Sequence, residues 1–143
     1  MGARHAGRTA AMQVLYELDT SGDFEDVEGM LERHFASFEP QADAEARDFA
    51  SELCQGVVEH LEELDELLEN ASTNWRVARM SRVDRNVLRV ATFELYFCPE
   101  VPDGVAINEG VELAKHFGSS ESRQFVNGVL DRLRRTREGA PKP

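Results

Sequence analysis

The stretch "VEGMLERHFASF", Val27 to Phe38, decides the fold class. Its apolar residues Val27, Met30, Leu31, Phe35 and Phe38 fall at i, i+3, i+4, i+8 and i+11, a spacing that lines one face of an α-helix and cannot line one face of a strand. The same period returns in Met12, Leu15 and Tyr16, in Phe49, Leu53, Val57, Leu61, Leu64 and Leu68, and in Val83, Val87, Leu88, Ala91 and Leu95. No stretch alternates with period two for long enough to make a strand. The pattern predicts an all-α protein of about six or seven helices.

Punctuation sets the boundaries. Ser81 followed by Asp84 predicts a capping-box variant at the start of "RVDRNVLRVATFELYF", and Pro99 and Pro102 end that helix. Ser21, Gly22 and Asp23 separate the first two helices, and Pro40 the second from the third. The third helix reads as long and bent near Gly56. Gly118, after Phe117, is expected in the left-handed conformation that closes many helices, with Ser119 or Ser120 capping the helix that follows. At 143 residues, the length predicts one domain over residues 1–138, with a frayed tail at 139–143.

Composition narrows the function. The net charge is -11, and it is unevenly spread: residues 17–71 hold eighteen acidic against two basic residues, the remainder nine acidic against fourteen basic. An acidic middle repels polyanions, while the start and the second half do not. The amino terminus lacks an apolar signal core and no long uncharged apolar run follows, so a soluble cytoplasmic protein with no membrane partner is expected. Ala6 stands where a myristoylation motif needs Ser or Thr. Cys54 and Cys98 lie outside any C-x-x-C pattern and read as reduced, half-buried residues. His5, His34, His60 and His116 show no ligand spacing, and neither a phosphate loop nor a nucleophile elbow is present, so no metal, cofactor or catalysis is expected.

Three features remain. Arg4, His5 and Arg8 lie one turn apart at a helix N-terminus, where positive charge opposes the macrodipole; something besides helix stability should keep them there. Asn108 and Asn127 interrupt apolar runs, and as buried amides they would tie helices together by hydrogen bonds. Between Phe117 and Phe125 lies a turn rich in hydroxyls and charges. A ring beside adaptable polar side chains is what single-stranded RNA recognition uses, although Phe125, at helical spacing with Val129, also reads as core.

Taken in order, "AAMQVLYELD", "DRNVLRVATFEL" and "VAINEGVELAKHFGSSESRQFVNGVLD" resemble the signatures of the NusB family across essentially the whole chain. The resemblance implies two packed helical subdomains and a non-enzymatic transcription antitermination factor. Such a factor pairs with the small-subunit ribosomal protein NusE, binds boxA RNA in nascent ribosomal RNA, and works within the RNA polymerase antitermination complex. By position, the RNA-contacting residues would be Arg4, His5, Arg8, Phe117, Glu121, Gln124 and Phe125, and the NusE-facing helix would present Asp84 and Arg85. The chain departs from the family in three places: the amino terminus carries fewer arginines, Gln124 stands where Lys is common, and Gly110 replaces a helical Ala. A NusB-like adaptor with a weakened RNA face is the alternative. The same fold also precedes RNA cytosine methyltransferase domains, but no Gly-rich cofactor loop follows here.

Overall fold

The computed structural model describes residues 2–72 and 75–137, so Glu138 and the tail expected to fray fall outside it. Seven α-helices and one 3-10 turn make up the described chain, with no strand among the described residues. They fall into two compact units, Met1–Glu59 and His60–Pro143.

The first unit contains α1 (Ala3–Ser21), α2 (Val27–Phe38) and α3 (Ala44–Glu59), with α1 packed most extensively on α3. Small residues define the inner face of α1. Gly7, Ala10 and Ala11 are buried alongside Val14, Leu15 and Leu18, and a Cβ at Gly7 would come within 3.0 Å of the Ala46 carbonyl and of the Phe49 ring. That close approach turns Tyr16 to the edge of the stripe, where it is 39 % exposed and not the inner residue its spacing predicted. Phe38 also departs from expectation: it holds the predicted register, but α2 ends there and the residue stays 74 % exposed, its ring tilted against His34. Asp26 caps α2 by accepting from the Gly29 N–H, and Gly22, at φ 75°, closes α1 in the left-handed region.

The expected long third helix is two. α3 stops at Glu59 and α4 (Leu61–Ala71) begins after His60, so the break lies four residues beyond Gly56. His60 is held by stacking on Phe97, 4.2 Å between centroids, and by Glu63 at 3.2 Å. The second unit continues through a 3-10 turn (Val77–Arg79) to α5 (Arg82–Phe97), α6 (Asp103–Phe117) and α7 (Ser122–Arg137).

α5 is the axis of this unit, buried without interruption from Asn86 to Leu95 and in contact with α4, α6 and α7. Burying Leu88 and Leu95 contributes about 1.5–3 kcal/mol each. Arg89 lies within this apolar helix because Asp65 of α4 accepts two bonds from its guanidinium, at 2.8 and 2.9 Å, and Asn86 accepts a third at 3.1 Å. The Tyr96 hydroxyl donates to the Leu133 carbonyl, and Arg132 donates to the Ala71 carbonyl at the end of α4. Gly110 sits between α5 and α7, where a Cβ would stand 3.1 Å from both Ala91 and Leu130; its place in the helix reflects tight packing. Asn108 and Asn127 are both exposed, so they are not the buried ties the sequence suggested.

Candidate nucleic-acid interface

The first unit contributes the N-terminal end of α1. Gly2 provides no side-chain cap and the first turn contains no acid, so Arg4, His5 and Arg8 meet an uncompensated helix dipole. Phe49 of α3 supplies part of what holds them: Arg4 lies over its ring at 4.3 Å and Arg8 at 5.2 Å, contacts worth about 0.5–1 kcal/mol each at exposed sites and more when desolvated. Arg4 is exposed and His5 half-buried, whereas Arg8 is only 4 % exposed. Of the three predicted cations, the structure presents Arg4 most fully to solvent.

The second unit contributes the turn between α6 and α7. Phe117, the last residue of α6, is half-buried with the His116 ring edge-on at 4.6 Å. Gly118 does not adopt the expected left-handed conformation: at φ -96°, ψ -169° it is extended, a conformation open to any residue. Glycine is needed there for space. A Cβ would lie 2.6 Å from the Ser122 Cβ and 2.8 Å from the Ala114 carbonyl, and closer still to the Ser122 hydroxyl. Ser122, almost fully buried, organises the turn by accepting from the Ser119 N–H at 3.0 Å, while the Ser119 hydroxyl accepts from the Glu121 N–H at 3.4 Å. The hydroxyls thus bond one another and the local backbone, leaving Glu121 and Gln124 exposed and Phe125 half-buried.

Two shallow grooves flank Phe125. One, of about 190 Å³, is lined by Trp75, Arg79, Met80, Ser81, Asp84, Ser119, Glu121 and Phe125. The other, of about 230 Å³, runs past Ser72, Trp75, Gln124, Phe125, Gly128, Val129 and Arg132. Asp84, expected to face a protein partner, therefore shares a groove with Glu121 and Phe125, expected to face RNA. Ser81 caps α5 as predicted, accepting from the Asp84 N–H at 3.0 Å, but Asp84 Oδ1 is buried without a hydrogen-bond partner. Arg85 leans back on the 3-10 turn, donating to the Ala78 and Met80 carbonyls at 3.5 and 3.4 Å.

Trp75 is the residue sequence reasoning missed. It is 51 % exposed and lines both grooves. The available signal was its setting, with Arg76, Arg79 and Arg82 following at intervals of one, four and seven residues, all exposed. Three of the four histidines turn to aromatic rings: His34 packs on Phe35 and Phe38, His60 on Phe97, and His116 on Phe117.

The NusB family profile matches residues 5–135, spanning both units. The chain belongs to the NusB family. Transcription antitermination protein NusB of Myxococcus xanthus is 49 % identical over 135 residues, covering 93 % of this chain and 95 % of the relative. Among solved structures, T. maritima NusB superposes with a TM-score of 0.85 at 38 % identity, over 96 % of this chain and 93 % of its own. The structure described as antitermination factors NusB and NusE in complex with dsRNA gives a TM-score of 0.85 at 28 % identity, over 95 % and 98 % of the two chains. The all-helical fold implied by the sequence resemblance is thus the fold of NusB proteins; the α6–α7 turn, the start of α5 and α1 from His5 onward lie within the matched region, and Arg4 stands one residue before it. No helix among the described residues is long and apolar enough to cross a membrane.

Proposed function

We propose that this chain is a non-enzymatic transcription antitermination factor that acts in the cytoplasm, pairs with the ribosomal protein NusE and binds boxA RNA in nascent ribosomal RNA transcripts. In doing so it helps RNA polymerase pass terminators. The observation that supports this most strongly is the likeness, over nearly the whole of both chains, to a NusB solved with NusE and RNA.

Each unit contributes a distinct kind of contact. Arg4 and His5 neutralise phosphates at the start of α1, with the Phe49 ring holding Arg4 in place. In the other unit, Phe117 and Phe125 offer ring faces and Gln124 an amide that both donates and accepts. Glu121 lies among them as a carboxylate that repels phosphate and can accept from a base amino group. Asp84 and Arg85, at the start of α5, meet NusE.

Few cations face the RNA, so binding by the chain alone is weak and its salt dependence shallow, at about -0.7 in log affinity per log salt for each phosphate contacted. A basic partner supplies the remaining charge, and the acidic residues 17–71 attract that partner while discouraging non-specific RNA. The test is boxA binding by the NusE complex carrying Arg4→Ala and His5→Ala. Weakened binding with a shallower salt slope is expected. Unchanged binding would favour the protein-only adaptor.

A further inference from the structure

From the two grooves on either side of Phe125 we infer that Trp75 is a stacking platform for a single nucleobase, with Arg79 holding its backbone. This subsite rests on the RNA-binding function proposed above and adds residues that the family resemblance did not point to.

Three observations in the second unit converge on it. A tryptophan half open to solvent borders both grooves, and every base offers a face to stack on it. Grooves of about 190 and 230 Å³ are smaller than the pockets that enclose whole small-molecule ligands, and suit one planar group at a time. Finally, Arg76, Arg79 and Arg82 are exposed and make no ion pair among the described residues, although the chain as a whole is strongly acidic. Exposed arginines spaced along the chain beside an aromatic platform supply what a single strand needs, cations for its backbone and a surface for its bases.

Arg79, Ser81 and Ser119 line the first groove together with Asp84 and Glu121, so it offers donors as well as acceptors to the edge of a stacked base. A basic protein side chain could also satisfy two carboxylates, but the three unpaired arginines would repel it.

Trp75 is the chain's only tryptophan, so its emission reports this position directly. The experiment titrates end-labelled boxA RNA into the protein with NusE, recording label anisotropy together with the difference in tryptophan emission between wild type and Trp75→Phe. Expected are quenching that tracks binding, a loss of roughly 5- to 150-fold in affinity for Trp75→Ala, and most of the affinity retained by Trp75→Phe. Arg79→Gln should make the salt slope shallower by about 0.7. RNA that binds by anisotropy while Trp75 emission stays unchanged and Trp75→Ala binds like wild type would overturn the subsite and leave the proposed function standing. Emission that moves on adding NusE alone, and no further with RNA, would give the groove to the protein partner and overturn it equally. No RNA binding at all would remove both the subsite and the function it rests on.

Discussion

Gly118→Ala separates two explanations for a glycine at the end of α6. If the residue were there for a left-handed backbone, alanine would cost about 1 kcal/mol and the cost would not depend on its neighbours. The extended backbone at φ -96° removes that explanation and leaves crowding. A methyl group would stand 2.6 Å from the Ser122 Cβ and 2.8 Å from the Ala114 carbonyl, and neither can swing away, because one is fixed to α7 and the other is helix backbone. Overpacking of this kind costs about 1–3 kcal/mol. Moving Ser122 also breaks its 3.0 Å bond from the Ser119 N–H, adding about 1 kcal/mol. The expected total of about 2–4 kcal/mol lowers the melting temperature by roughly 6–15 °C for a chain of this length, as followed by far-UV circular dichroism. Because the clash is with a named partner, Gly118→Ala combined with Ser122→Gly should recover at least about 1 kcal/mol relative to additivity. A single mutant that melts within about 2 °C of wild type, or a double mutant that is merely additive, would refute the steric explanation.

Three further outcomes follow from the buried groups. Asp65→Ala should destabilise the chain by about 2–4 kcal/mol in chemical denaturation, since Arg89 is 7 % exposed at its side chain and would lose both bonds; the 29 % exposure of Asp65 lets water relieve part of that cost. Cys54 is fully buried, and burial, reinforced by the Glu28 carboxylate, pushes its thiol far above the usual range; thiol reagents should label it in the folded protein only as fast as α3 opens. Burial lowers the His34 pKa below 6.5 despite Glu39 and Glu17, so the folded state binds a proton less readily than the unfolded chain. Stability should therefore fall as pH drops below about 6.5, and His34→Gln should flatten that part of the melting profile.

Helices were legible in the sequence because their apolar period survives without any knowledge of neighbours. Their faces were less so. On α1, Met12 and Leu15 are buried as their spacing predicted and Tyr16 is not, and the pattern of large residues gave no sign of the small ones buried beside them, Gly7, Ala10 and Ala11, of which Gly7 permits the close approach of α3. Phe38 has the right phase, yet phase says nothing about where a neighbouring surface ends. The break at His60 depends on a ring 37 residues away, Phe97, and no local pattern announces a long-range stack. At the candidate site, the exposure of Glu121 and Gln124 agrees with the reading of the α6–α7 turn, while the burial of Arg8 depends on packing that spacing cannot show. Trp75 was passed over because it lies outside every amphipathic stripe and outside the segments that carry the family resemblance.

The central claim is that this chain binds boxA RNA weakly alone and tightly with NusE. Fluorescence anisotropy of a short boxA RNA, titrated with the chain alone and with the NusE complex at two salt concentrations, tests it most directly. Weak binding by the chain alone and tight, sequence-dependent binding by the complex are the predicted results. A complex that forms but binds boxA no better than a scrambled RNA would contradict the account and leave a protein-only adaptor.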